Sequence, residues 1–155
     1  MIGTGSIKRS AVLAILLLAA GCSYVDKMSA GSPKATARSF TATLSGAQEV
    51  PPTDVTGVAV VNATLDPDGT LHWSLAYRNL TGAVTGAHFH GPAAAGSNAG
   101  VTVDIGAQGT ASPMQGAAHL DPAQVADLVA GRWYVNIHTA ANPNGEIRGQ
   151  VMPAP

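Results

Sequence analysis

The sequence predicts an all-β fold, an antiparallel Greek-key-like sandwich or flattened barrel with one short helix. Short segments of alternating apolar and polar residues are separated by turns, and the 155-residue chain contains 18 Gly and 10 Pro. Charged residues make up 11% of the chain, whereas an average soluble domain has about 25% and long helices are rich in Glu, Lys and Leu. About 115 residues follow the N-terminal segments, which suffices for one hydrophobic core and not for two.

The strands are recognised by their period of two. Between Leu71 and Tyr77 every second residue is large and apolar or aromatic, and the residues between them are polar or small. The preceding Asp66–Gly69 stretch (DPDG) is a strong turn signal. The same reasoning predicts seven strands at Phe40–Gly46, Gly57–Leu65, Leu71–Tyr77, Val84–His90, Val101–Ile105, Arg132–His138 and Gly145–Met152.

One segment has helical rather than strand character. Asp121 is suited to cap a helix, Pro122 fits the first turn, and Gly131 is suited to end it. The apolar residues between them recur at helical spacing, which predicts a helix over Asp121–Ala130. The apolar stripe of this helix consists of Val125, Leu128 and Val129.

The first 21 residues are typical of an export signal. Lys8 and Arg9 precede Ala11–Ala20, an unbroken apolar run that is too short to span a bilayer, for which about 20 residues are needed. The single cysteine, Cys22, follows Leu-Ala-Ala-Gly, which resembles a bacterial lipobox apart from the Ala at position 19. The alternative is an ordinary signal peptide with an incidental cysteine.

The lipobox resemblance implies that Cys22 is lipidated and attaches the mature protein to a membrane. Residues 22–38 are polar, small and without periodicity, which indicates a flexible tether, and residues 39–152 form the β domain. Ser23, rather than Asp, follows the cysteine, and its resemblance to sorted lipoproteins favours the outer membrane, facing the periplasm. The expected location is therefore the cell envelope.

Composition excludes several functions. A formal net charge of −1 provides no basic surface for a phosphate backbone, so a nucleic-acid partner is not expected. One cysteine cannot form an internal disulfide or a Cys-based zinc site. The sequence has no nucleophile motif, and Gly91–Gly100 is not a phosphate-binding loop because it does not join a strand to a helix.

Three of the five histidines share a pattern. His88 and His90 are two residues apart in a predicted strand, so their side chains project from the same face. His138 likewise lies opposite the apolar residues of a later strand. If the two strands are neighbours, the three imidazoles converge on the outer face, where they could bind a transition metal, with copper favoured by affinity. The alternative is a hydrogen-bonded histidine cluster without metal.

Four motifs in order resemble the CHRD domain family, named for the repeats of chordin. The resemblance extends from about Phe40 to Met152, and it implies an extracytoplasmic β domain without a defined biochemical role. The motifs are Phe40–Pro52 (FTATLSGAQEVPP), His88–Gly91 (HFHG), Tyr134–Thr139 (YVNIHT) and Pro143–Gln150 (PNGEIRGQ).

A second resemblance, to copper/zinc superoxide dismutase, concerns mechanism. The order His-x-His, a later strand ending in His, and a following Asn-x-Gly-x-x-Arg implies copper ligands at His88, His90 and His138 and an anion-guiding Arg148. Gly91–Gly100 contains neither His nor Asp, so no matching zinc site is expected. The fourth copper ligand would be His72 or water.

Three functional hypotheses remain open at this stage. The first is a lipid-anchored module that binds copper or another transition metal without organic or nucleotide cofactors. The second is a copper-only dismutase-like enzyme, in which Arg148 guides the anion. The third is a metal-free adhesion or structural module of the envelope. Separately from these hypotheses, the alternative to an anion-guiding Arg148 is a solvated or cross-strand paired charge next to Glu146.

Overall fold

The structure, a computed structural model, describes residues 36–155. The predicted signal peptide (1–21), the proposed lipidation site Cys22 and almost all of the predicted tether (22–38) lie outside the described residues. Among residues 36–155, no helix has both the length and the apolarity needed to cross a membrane.

The described chain is an all-β domain with one short helix, as predicted. Its eight strands form one antiparallel, barrel-like sheet that is nearly closed, in the order β5-β4-β7-β8-β1-β2-β3-β6. The elements are β1 (Arg38–Ser45), β2 (Val58–Leu65), β3 (Thr70–Arg78), β4 (Val84–His90), β5 (Val101–Asp104), β6 (Met114–His119), α1 (Pro122–Val129), β7 (Trp133–Thr139) and β8 (Ile147–Pro153).

Curvature of the sheet brings strands that are distant in the strand order into contact through the core. The Phe89 ring of β4 packs edge-on against Trp73 of β3, with ring centroids 5.6 Å apart, and also lies 5.9 Å from Trp133 of β7. Each strand therefore contributes one apolar face to a single interior, and the alternate residues face outward. The outward-facing residues of β4 and β7 include the three predicted histidines.

Strand β6 is the element that the sequence did not predict. Its sequence, Met-Gln-Gly-Ala-Ala-His, lacks the β-branched and aromatic residues that mark a strand. Gly116 explains part of this composition, because a Cβ there would lie 2.6 Å from the Trp73 indole ring. The large side chain on β3 thus requires a small residue opposite it on β6.

The predicted helix is confirmed, and its capping is more complete than the sequence suggested. The Asp121 carboxylate accepts hydrogen bonds from the backbone N–H groups of Ala123 and Gln124, at 2.8 and 2.9 Å. The Gln124 side chain accepts one in return from the Asp121 N–H, which completes a capping box. Gly131, with φ of 68°, follows the helix and allows the chain to turn into β7.

Candidate metal centre

Strands β4 and β7 are direct neighbours, so the condition for convergence of the histidines is met. Their register places His88 opposite Asn136 and His90 opposite Tyr134. His138 lies opposite Gly86, which has no side chain, so the space above Gly86 is available to the neighbouring rings. A Cβ at Gly86 would lie 3.1 Å from Cε1 of His88, which shows how closely the His88 ring covers this glycine.

The three imidazoles form a compact group. Ring centroids are 5.1 Å apart for His88 and His138, 5.6 Å for His88 and His90, and 6.4 Å for His90 and His138. Taking one ring nitrogen from each residue, the three nitrogens lie within 4.8 Å of one another. Three nitrogens bound to one ion at about 2.0–2.1 Å lie roughly 3.3 to 4.1 Å apart. Small side-chain movements would therefore bring all three to bonding distance.

Backbone carbonyls orient two of the rings. Nδ1 of His90 lies 3.0 Å from the Ala99 carbonyl oxygen, and Nδ1 of His138 lies 2.9 Å from the Pro143 carbonyl oxygen. A carbonyl oxygen can only accept, so each Nδ1 carries a proton, and in the neutral ring Nε2 keeps its lone pair. Ligating histidines commonly have this second-shell arrangement, with one nitrogen donating and the other bound to metal.

The third ring has an unsatisfied nitrogen. Nδ1 of His88 is buried and has no hydrogen-bond partner among the described residues. A buried polar atom without a partner costs about 1–3 kcal/mol, and a bound ion would remove that cost. The donor set is three imidazoles, which fits copper, zinc, iron or nickel.

Burial keeps two of the imidazoles neutral. Burial lowers the pKa of His88, and the neighbouring His138 and His90 lower it further, against an opposing effect of Asp104. Burial also lowers the pKa of His90, against the hydrogen bonds with Ala99 and Asn136, which raise it. Neutral rings are the form that binds a metal, so these two residues are ready to bind at neutral pH.

Two neighbours of His90 were not predicted from the sequence. Oδ1 of the Asn136 side chain lies 2.9 Å from His90 Nε2, so this amide must turn aside before Nε2 of the neutral, Nδ1-protonated ring can bind an ion. The Tyr134 ring stacks on His90 with centroids 4.8 Å apart and an angle of 2° between the planes. Both residues belong to the Tyr134–Thr139 motif, but the sequence pattern indicated only their face and not their partner.

Arg148 lies on β8, next to β7, and its environment differs from that of a solvated charge. It is only 2% exposed. Its guanidinium donates hydrogen bonds to the Ser97 carbonyl (2.7 Å) and the Asn98 side chain (2.9 Å), and its Cζ lies 3.5 Å from the centre of the Tyr134 ring. The expectation of a solvated or cross-strand paired charge is therefore wrong, because the loop after β4 covers this part of the outer face. The anion-guiding role stays a prediction.

Glu146 is not the partner of Arg148. Its carboxylate is fully buried and accepts hydrogen bonds from the Thr81 N–H and hydroxyl and from the side chains of Thr139 and Asn142. These bonds connect the β3–β4 turn with the β7–β8 turn. Burial raises the pKa of Glu146, but the hydrogen bonds outweigh it and hold that pKa below its ordinary value.

Neither His72 nor Glu49 belongs to the group of three histidines. His72 is on β3, and its Nε2 lies 3.4 Å from a carboxylate oxygen of Asp66, so it is not positioned to be a fourth ligand. Glu49 is buried near Arg148 and lines a cleft of about 350 Å³ together with Val50, Arg148 and Gln150. Burial raises the pKa of Glu49, while a backbone hydrogen bond and Arg148 partly oppose this effect.

Comparison with known families agrees with the four sequence motifs. The model of the family described as CHRD domain matches residues 40–151. No curated protein and no solved structure shows significant similarity to the chain.

Proposed function

The chain belongs to the CHRD domain family, and on that premise we propose that it binds one transition-metal ion, with copper favoured, through His88, His90 and His138. The observation that supports this proposal most directly is the approach of three ring nitrogens to within 4.8 Å of one another. Among divalent ions of the first transition series, affinity for a nitrogen site peaks at copper, which is why copper is favoured over zinc or nickel.

The surroundings of the histidines also suit a metal. Carbonyl groups fix the proton-bearing nitrogen of His90 and His138, and burial favours the neutral forms of His88 and His90. The metal, when bound, would provide a Lewis-acidic or redox-active centre on the outer face of the β4–β7 pair.

The experiment is equilibrium dialysis against Cu²⁺, followed by elemental analysis of the protein. We expect one tightly bound ion per chain for the wild type and none for the His88→Ala/His90→Ala/His138→Ala variant. The matched control is His72→Ala/His119→Ala, which removes the chain's two other histidines and should bind copper as the wild type does. Equal copper binding by the wild type and the triple variant would refute the proposal.

The competing metal-free function is distinguished by the same proteins. If the cluster is purely structural, the triple variant should lose stability while the wild type binds no metal under any loading condition. If it is a metal site, Cu²⁺ should raise the melting temperature of the wild type and not that of the triple variant, because a ligand that binds only the folded state stabilises it.

We further propose that the domain is attached to a membrane of the cell envelope through lipid on Cys22. The support is the positively charged start, the ten-residue apolar run and the cysteine directly after Gly21. Expression of the full chain in a bacterium with radiolabelled palmitate should label the wild type and not the Cys22→Ser variant. A labelled Cys22→Ser variant, or an unlabelled wild type, would contradict lipidation at this residue.

A further inference from the structure

The environment of Arg148 indicates a role that the dismutase resemblance did not suggest. An anion-guiding arginine must present free N–H groups to solvent, whereas Arg148 is 98% buried, at 2% exposure. Its two terminal nitrogens each donate to the loop between β4 and β5, one to the Ser97 carbonyl and one to the Asn98 side chain. Both terminal nitrogens of the guanidinium are therefore bonded to protein groups.

The loop that Arg148 holds is the loop that orients a histidine. Ala99 directly follows Asn98, and its carbonyl oxygen accepts the Nδ1–H of His90 at 3.0 Å. The Tyr134 hydroxyl lies 3.1 Å from the Ala99 N–H and accepts a hydrogen bond from it. Asn98 is fixed from a second side because its amide donates to the Val50 carbonyl at 3.2 Å. Residues 97–99 thus have anchors on three separate segments.

A second path connects the same residues through stacking. Tyr134 lies on β7 between β4 and β8, and its ring contacts one residue from each neighbouring strand. His90 stacks on it from β4, and the Arg148 guanidinium lies over it from β8. A guanidinium is attracted to the face of an aromatic ring, and the attraction is stronger when the pair is desolvated. The Tyr134 ring is therefore in contact with both Arg148 and His90.

We infer that Arg148 is a positioning residue for the metal centre, which holds His90 in one orientation and one tautomer through the 97–99 loop and the Tyr134 ring. This inference rests on the proposed function, because it assigns the role of Arg148 relative to the same three-histidine site. It also determines how the site should respond to substitution. His90 should lose its order when either path is broken, while His88 and His138 keep theirs.

The variants are Arg148→Lys and Asn98→Ala. Lysine keeps the positive charge but cannot donate in two directions from a planar group. Asn98 is exposed, so its replacement by alanine removes one bond to Arg148 without disturbing the core. The control is Asn62→Ala, which removes an exposed asparagine from β2, three strands away from β7 in the sheet order.

Two readouts are measured on each full-length protein. Competition with a chromogenic chelator gives the Cu²⁺ affinity, and long-range ¹H–¹⁵N imidazole spectra of the metal-free protein give the His90 tautomer. We expect Arg148→Lys and Asn98→Ala to bind Cu²⁺ about 10- to 100-fold more weakly, as is typical when the outer partner of a ligating histidine is lost. We also expect His90 to change from a single Nδ1–H form to a mixture, with Asn62→Ala unchanged in both.

The outcomes separate this inference from the proposed function. If the wild type binds no copper, the proposed metal site fails, and the tautomer of His90 alone then decides whether Arg148 positions the ring. A weaker affinity with an unchanged tautomer would overturn the inference, because the loss of affinity would then not arise from a change at His90. A mixed tautomer with unchanged affinity, or no change in either readout, would overturn it as well.

Discussion

The buried carboxylate of Glu146 provides the sharpest test of the energetics of this fold. It is fully buried, with no basic side chain among its hydrogen-bond partners in the described chain. Thr81 N–H donates to Oε1 at 2.7 Å, and Oε2 accepts from the Thr81 hydroxyl at 2.8 Å, the Asn142 amide at 3.2 Å and the Thr139 hydroxyl. The cost of burying the charge is offset by four donors.

The substitution Glu146→Gln keeps the shape of the side chain and exchanges one acceptor oxygen for a donor. At least one donor then faces an N–H₂ group and loses its partner, and a hydrogen bond to a charged group is worth about 1.5–3 kcal/mol. The other bonds weaken because the acceptor is neutral, whereas removal of the buried charge partly compensates. We expect a loss of about 2–4 kcal/mol in the free energy of unfolding at pH 7, which urea denaturation measures.

The effect of pH has a definite sign. Because the folded pKa of Glu146 is lowered, its ionised form stabilises the fold above the unfolded pKa of about 4.3, and this contribution is lost as pH falls through the folded pKa. The difference between wild type and Glu146→Gln should thus be constant from pH 7 to 5 and shrink below pH 4.

Glu49 is the matched contrast, because it is also buried but its pKa is raised. The charged form of such a group destabilises the fold above its folded pKa. Relative to Glu49→Gln, the wild type should therefore gain stability as pH falls, which is the opposite trend to that of Glu146. A cost below 1 kcal/mol for Glu146→Gln at pH 7, or the same pH trend for both variants, would refute this reasoning.

Three further predictions concern other parts of the domain. The pKa values of His88 and His90 are lowered in the folded protein, so the unfolded chain takes up protons first as the pH falls. The free energy of unfolding of the metal-free protein should therefore decrease below pH 6.5. Urea titrations at pH 7.5 and 5.5 should show a smaller decrease for the His88→Gln/His90→Gln variant than for the wild type. Gly149→Ala places a Cβ 2.4 Å from the Thr43 carbonyl oxygen. Calorimetry should show that the free energy of unfolding falls by about 1–3 kcal/mol. A smaller loss would mean that the fold does not require the close approach of β1 and β8 at this position. Asp121→Ala removes the helix cap and should cost about 1 kcal/mol in thermal unfolding, whereas no change would mean that the cap contributes nothing.

Features of the fold that follow from local patterns were predictable. The period of two identified seven of the eight strands, and it placed His88 and His90 on one face because strand geometry alternates regardless of what surrounds it. The cap of α1 was predictable for the same reason, since Asp121 and the N–H groups it binds are neighbours in the chain. Strand β6 was missed because its composition does not follow local strand preferences. Gly116 is small because Trp73 lies opposite it on the neighbouring strand.

Features of the site that involve distant segments were not predictable. The sequence indicated three histidines on polar faces but left open whether β4 and β7 are neighbours. It also placed Arg148 on the histidine face without indicating that the 91–100 loop covers it. No local signal links Ala99 to His90 or Glu146 to Thr81, which are 9 and 65 residues apart in the chain.

The sequence by itself therefore determined seven of the eight strands, the face on which His88, His90 and His138 lie, and the family. Only the tertiary structure decided that β4 and β7 pair, that carbonyl groups orient His90 and His138, and that Arg148 is buried over Tyr134. The physical reason is that side-chain alternation is set by backbone geometry within a few residues. Pairing and burial, in contrast, depend on which segments the closed sheet and its loops bring together to form one core and cover one face.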